Sequence, residues 1–152
     1  MNKIITILII FLLSGCGYSS VYKDNDKKNL KITIEKMEGD EEINNLIKNQ
    51  LELYSSKNST NEYYVVMKTN YQKNIISKNS SGKITKYQLY IRTEFNIKND
   101  EKTYNEYFEE KFNIKNISDP FEQDNYEKII INNLISSIRE KLVLKLSNIK
   151  WF

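Results

Sequence analysis

From residue 30 onward, apolar and polar positions follow two distinct periods. Leu30, Ile32 and Ile34 alternate with Lys31, Thr33 and Glu35, the period of two that predicts a half-buried strand. Gly39 breaks the pattern, and Asp40, Glu41 and Glu42 then place acidic groups where a helix N-terminus is electropositive. Ile43, Leu46, Ile47, Leu51 and Tyr54 recur at helical spacing, which predicts a helix over about 41–55 followed by a polar loop from Ser55 to Asn61. Tyr63, Val65, Met67, Thr69 and Tyr71 line one face of a second strand. Asn79-Ser80-Ser81-Gly82 supplies a hairpin turn within Ser77 to Lys83. A third strand is the clearest of all: Tyr87, Leu89, Ile91, Thr93, Phe95 and Ile97 alternate with Lys86, Gln88, Tyr90, Arg92, Glu94 and Asn96. After Asn99-Asp100, the stretch Tyr104 to Ile114 fits either period. Tyr104, Phe108, Phe112 and Ile114 share a strand face with Glu106 and Glu110, whereas Tyr104, Tyr107, Phe108 and Phe112 also suit a helix. The preceding strand, the short turn and the aromatic content favour a hairpin, so a strand is expected.

The last element opens with Asp119-Pro120 and has Glu122 three residues after the aspartate, which together form an N-cap, a first-turn proline and a capping-box partner. Ile130, Leu134, Ile138, Leu142 and Leu146 then recur every fourth residue, flanked by Ile131, Ile135 and Ile149. Acidic residues near the start and Lys141, Lys145 and Lys150 near the end match the helix dipole over roughly 120–149. Such a stripe needs a sheet to lie against. The expected fold is α+β: a mostly antiparallel four-stranded sheet with two helices packed on one face, in the order β-α-β-β-β-α.

The N-terminal 29 residues are different in kind. A basic start, Met1-Asn2-Lys3, precedes an apolar run from Ile4 to Leu13 that is broken only by Thr6. Ten helical residues rise about 15 Å, roughly half a bilayer core, so the run has the size of a signal-peptide core rather than a span. Leu13-Ser14-Gly15-Cys16 follows, matching the lipobox at which small residues admit the chain to the lipoprotein signal peptidase. Cleavage before Cys16 removes 15 of the 152 residues and leaves a mature chain of 137 with an acylated N-terminal cysteine. The expected organisation is a cleaved lipoprotein signal peptide at 1–15, a lipidated polar tether at 16–29, and a single domain at 30–152. Several acyl chains on one residue anchor stably, where a single chain binds only reversibly. Gly17 after the cysteine, rather than an acidic residue, favours export to the outer membrane.

Composition narrows the chemistry. There is no histidine and only one cysteine, so histidine catalysis, histidine-ligated metals and intrachain disulfides are excluded, and no cofactor is expected. Three glycines remain after the lipobox, too scattered for a phosphate-cradling loop. Glu106, Glu109 and Glu110 are the carboxylates one could draft for acid/base work, yet no spacing distinguishes them, and the chain is expected not to be an enzyme. A net charge of +3 and the export signal exclude a nucleic-acid partner. Two features point to binding. Tyr64, Val66, Tyr90 and Tyr107 fall on the sheet face opposite the predicted core, where tyrosine buries area at low entropic cost. Lys73, Lys78, Lys83 and Lys86 surround the hairpin between the second and third strands; Lys78, Lys83 and Lys86 are the candidates for anionic head groups.

A lipobox with Gly15-Cys16-Gly17-Tyr18, the run from Tyr104-Asn105-Glu106-Tyr107 through Phe112, and Asp119-Pro120-Phe121 opening a terminal helix with Leu134, Ile138, Leu142 and Leu146 together resemble the LPS-assembly lipoprotein LptE family, in its alphaproteobacterial-type branch. The resemblance implies an outer-membrane lipoprotein that plugs the lumen of the LptD β-barrel and joins it in delivering lipopolysaccharide to the cell surface. Its partners are then the barrel, lipopolysaccharide, and the membrane through the lipid on Cys16. Another outer-membrane accessory lipoprotein, such as a secretin pilotin, is the alternative, followed by a lipid-anchored enzyme using carboxylates.

Overall fold

The computed structural model describes residues 30–56, 59–100 and 102–148. Strand β1 (Lys31–Gly39) leads into helix α1 (Glu41–Glu52); strands β2 (Glu62–Lys78), β3 (Ile84–Lys98) and β4 (Thr103–Lys115) follow as a meander, and helix α2 (Pro120–Asn148) closes the chain. One sheet holds all four strands in the order β1-β2-β3-β4. β1 runs parallel to β2, and the other two pairs are antiparallel. The fold is the expected α+β arrangement, and the ambiguous stretch from Tyr104 to Ile114 is a strand. Its alternative helix loses because β3 supplies a full ladder of partners, from Lys86 opposite Lys115 to Lys98 opposite Thr103.

The parallel pairing follows from where β1 stops. Gly39 sits at φ +88°, and a Cβ there would lie 1.9 Å from the Thr69 carbonyl oxygen, so only glycine fits. The Asp40 amide donates to that same carbonyl at 2.9 Å, pinning the end of β1 to the middle of β2. Asp40 then caps α1, its carboxylate accepting from the Ile43 amide at 3.0 Å. The helix stops three residues earlier than its apolar spacing suggests, with Leu53 as C-cap. The Ser56 amide donates to Leu30 and the Ser55 hydroxyl accepts from Ile32, which returns the chain beside the start of β1. A helical crossover is what a parallel neighbour requires. At the other end of the chain, Asp119 caps α2 by accepting from the Glu122 amide at 2.9 Å.

Both helices lie on the face carrying the odd-numbered residues of β2 and β3. Ile43, Ile47 and Leu51 from α1 and Leu134, Ile135, Ile138, Leu142, Val143 and Leu146 from α2 pack against Tyr63, Val65, Met67, Leu89, Ile91, Phe95 and Ile97. Ile149, the last position of the predicted stripe, lies outside the described residues, as do residues 1–29 with Cys16 and the whole tether. Two hydroxyls in this core, Thr69 and Thr93, stand opposite each other and share one hydrogen bond at 3.1 Å. The Tyr63 hydroxyl donates to the Leu146 carbonyl near the end of α2. Each is a buried polar group that would cost stability if left alone.

Leu142→Ala, at a position with no exposure, is expected to lower the unfolding free energy by about 2–5 kcal/mol. Gly39→Ala is expected to cost more than its small change in size suggests, because both the backbone angle and the Thr69 carbonyl resist it. Urea unfolding of the two variants beside the parent checks both, and a Gly39→Ala midpoint equal to the parent's contradicts the second.

Candidate functional site

Strand alternation sends every second side chain to the face that no helix of the described chain covers. There Tyr64 and Val66 of β2, Tyr90 and Arg92 of β3 and Tyr107 of β4 share one surface, as their spacing predicts, with Tyr107 58% exposed. The residues between them form a polar lattice across the strands. Arg92 lies over the Tyr107 ring at 4.4 Å and reaches Glu94 at 3.3 Å, while the Tyr90 hydroxyl donates to Glu109 at 2.9 Å. Asn96 donates to Asn105 at 2.7 Å, Gln88 to Asn113 at 3.0 Å, and Lys31 bridges to Glu62 at 2.7 Å. The pairing shows in the titration of these groups. The Lys31 ammonium holds the Glu62 carboxyl below its ordinary value, and Glu62 holds Lys31 above its own. Burial and the Glu109 carboxylate push the Tyr90 hydroxyl up. A shallow depression of about 380 Å³ crosses this face between Glu38, Lys68, Arg92 and Tyr107. It offers mixed charge and aromatic area, with no group of acidic or cysteine side chains able to hold a metal among the described residues.

The second candidate is the hairpin between β2 and β3. The structure places Lys78, Lys83 and Lys86 together on its exposed tip. Asn79 builds the turn, its side chain accepting from the amides of Ser81 and Lys83, and Gly82 at φ +82° completes it. Lys73, which the sequence groups with these lysines, is not one of them. It lies on the helix-covered side of β2, paired with Glu127 of α2 and 4.5 Å from the Tyr87 ring centre. Lys115 takes its place: β3 and β4 set it directly opposite Lys86, a juxtaposition only the strand register reveals. The tip also carries apolar area, with Ile75 51% and Ile76 42% exposed at the end of β2.

This tip and the start of the domain lie at opposite ends of β2. Leu30 and Lys31 sit level with Glu62, and the 17 residues of β2 span about 55 Å to Lys78. The residues before Leu30 therefore join the domain at the end remote from the basic hairpin.

The glutamates weighed for catalysis are otherwise engaged. Glu106 and Glu110 point from β4 toward α2, where Lys145 meets Glu106 at 2.7 Å and Lys141 meets Glu110 at 2.6 Å. The Ser137 hydroxyl also donates to Glu110. Burial pushes the Glu110 carboxyl up, but the hydrogen bonds from Lys141 and Ser137 outweigh it and hold it below the ordinary value. Glu109 faces the other way and accepts from Tyr90. The three carboxylates thus face opposite sides of β4, and the two inner ones each have a cationic partner.

Neither a family model nor a curated protein matches this sequence. Solved structures do. The chain is similar to rare lipoprotein B from Shewanella oneidensis, at 12% identity and a TM-score of 0.57 over 76% of this chain and 90% of that one. It is similar also to a minor lipoprotein from Acinetobacter baumannii, at 12% identity and a TM-score of 0.56 over 77% and 90%. The fold is therefore one that these bacterial lipoproteins share.

Because its folded pKa is lowered, the stability that Glu110 contributes is fully present above the ordinary carboxyl value of 4.5 and is lost as pH falls through the lowered one. Glu110→Gln is thus expected to be less stable than the parent at about pH 7, and the gap is expected to narrow at about pH 3. Urea midpoints of both proteins at the two pH values check this; a gap that does not change with pH contradicts it.

Proposed function

We propose that the chain is an outer-membrane lipoprotein of the LptE family, acylated at Cys16, that fills the lumen of an LptD-type β-barrel and works with it in bringing lipopolysaccharide to the cell surface. The observation that carries the reading is the likeness of fold to rare lipoprotein B, a member of that family. Two features of this chain support it. Signal peptide and lipobox converge on its single cysteine. Among the described residues one sheet face stays uncovered by helix, and that face is polar, hydrogen-bonded and studded with tyrosine. A barrel too wide for its own side chains to fill needs a rigid insert with a hydrated exterior, and a sheet backed by two helices provides one.

In this reading the protein has a structural and binding role and no chemistry of its own. Its work divides along its length. The tether leaves from one end toward the lipid, and the lysine-bearing hairpin sits at the other. Lys78, Lys83 and Lys86 supply the charge for the phosphates of the lipid. Lysine acts here as a point charge at a mobile headgroup, which needs no fixed two-pronged geometry. Exposed Ile76 lies beside them to meet acyl chains.

Purification of the full-length chain from detergent-extracted membranes is expected to recover a large β-barrel protein in one-to-one ratio, with the mass of the chain showing loss of residues 1–15 and acylation at Cys16. Recovery of a ring-forming secretin points to the pilotin alternative, and an unmodified thiol on a monomer contradicts both. Lys78→Glu, Lys83→Glu and Lys86→Glu combined are expected to weaken lipopolysaccharide binding about tenfold or more while leaving barrel recovery unchanged, because they reverse three charges on an exposed tip. Binding unchanged in the triple variant takes the hairpin out of the lipid site.

A further inference from the structure

Among the described residues the sheet has three stretches of free strand edge, and two of them are guarded. β4 turns Glu106 and Glu110 inward onto lysines of α2 and carries Glu109, Lys111 and Lys115 on its other side. β1 carries Glu35, Lys36 and Glu38 and is bulged between Ile34 and Lys36. Inward charges, edge lysines and bulges are the devices by which proteins prevent strand-to-strand association. The third stretch is the half of β2 beyond Thr69, where β1 ends and no other strand of the described residues takes its place. Because the Thr69 carbonyl accepts from Asp40 on the β1 side, alternation turns the N–H and C=O groups of Tyr71, Lys73 and Ile75 toward this open edge, while Gln72 and Asn74 bond to β3. The side chains there do not repel. Gln72 and Asn74 are neutral, Ile75 is half exposed, and the one cation, Lys73, is folded back onto Glu127. Only the bulge after Ile75 limits the stretch, to about six residues or 20 Å.

We propose that this edge is a strand-addition site, at which an extended segment of the barrel partner lies beside Asn70 to Ile75 and continues the line that β1 leaves at Gly39. The inference rests on the plug reading above and goes further by naming where and how the partner is held. In strand addition the main chain supplies affinity and alternate side chains supply specificity. The chemistry of the segment follows from what surrounds the slot. Tyr71 and Ile75 call for apolar residues on the side facing α2, and Glu42, whose field also reaches Tyr71, favours a basic residue near that end of the slot. A second copy of this chain fits poorly. Two identical edges form ladder hydrogen bonds about a two-fold axis only when antiparallel, and a stretch of about six residues gives such a pair a short ladder.

Amide hydrogen exchange on the chain alone and in its complex with the barrel reads the slot directly. The amides of Tyr71, Lys73 and Ile75 are expected to exchange freely in the isolated chain and to slow about tenfold or more in the complex, while those of Gln72 and Asn74 are slow in both. Lys73→Pro deletes a donor that β3 does not use and is expected to reduce barrel recovery about tenfold. Lys73→Ala, which loses the ion pair and keeps the amide, is expected to retain recovery. A barrel complex in which the three amides stay fast overturns the inference and leaves the plug reading standing. Concentration-dependent slowing in the isolated chain assigns the edge to a second copy and overturns it too. Failure to recover any barrel removes the plug reading and the occupant together. Should the proline variant not fold, Ile75→Lys places an unpaired charge on the same edge and is expected to show the same loss of recovery.

Discussion

A four-stranded sheet has two faces, and the helices among the described residues cover one. That single asymmetry governs most of what the molecule is. The covered face holds the entire apolar core, from Ile43 and Ile47 of α1 through Ile135, Ile138 and Leu142 of α2, all with little or no exposure. Each such side chain contributes about 1.5–3 kcal/mol of burial, and the collective term is what offsets the entropy of ordering the strands. At the β4 margin the core thins, and the sheet continues it with charge: Glu106 and Glu110 hold Lys145 and Lys141 of the long helix. The opposite face is held by pairs spaced across strands, among them Arg92 on Tyr107 and Asn96 on Asn105. It is finished enough to stand in water and aromatic enough to meet a partner.

Most of this architecture is legible in the sequence because the two periods are clean. The alternation from Tyr87 to Ile97 has one reading, and the Asp119-Pro120 signal marks the start of α2 to the residue. The parts that are not legible depend on what lies next to what. Lys73 reads as a member of a basic loop until the fold brings Glu127, 54 residues away, against it. Lys115 joins the basic hairpin only because β3 sets Lys86 opposite it. The early end of α1 follows from Ser55 and Ser56 turning to bond with Ile32 and Leu30, contacts that no local propensity encodes. The open half of β2 is likewise invisible in one dimension, since it exists only because Gly39 ends β1 opposite Thr69 while β2 runs nine residues further.

The same length mismatch gives the molecule a direction. The described residues begin at the end where Leu30, Glu62 and the close of α2 meet, and the hairpin carries its lysines about 55 Å away. In the proposed plug reading, the bare face, the basic tip and the unguarded strand edge are three regions of one contact with the surrounding barrel.

Whether the bare face is covered in the cell is the question on which the plug reading turns. Oxidative footprinting of the tyrosines, compared between intact cell envelopes and the purified domain, answers it. If a barrel surrounds the sheet, Tyr64, Tyr90 and Tyr107 are modified readily in the purified domain and protected in the envelope, while buried Tyr63 is unreactive in both. Equal modification of the three tyrosines in the two settings would contradict it, showing a face that meets only water.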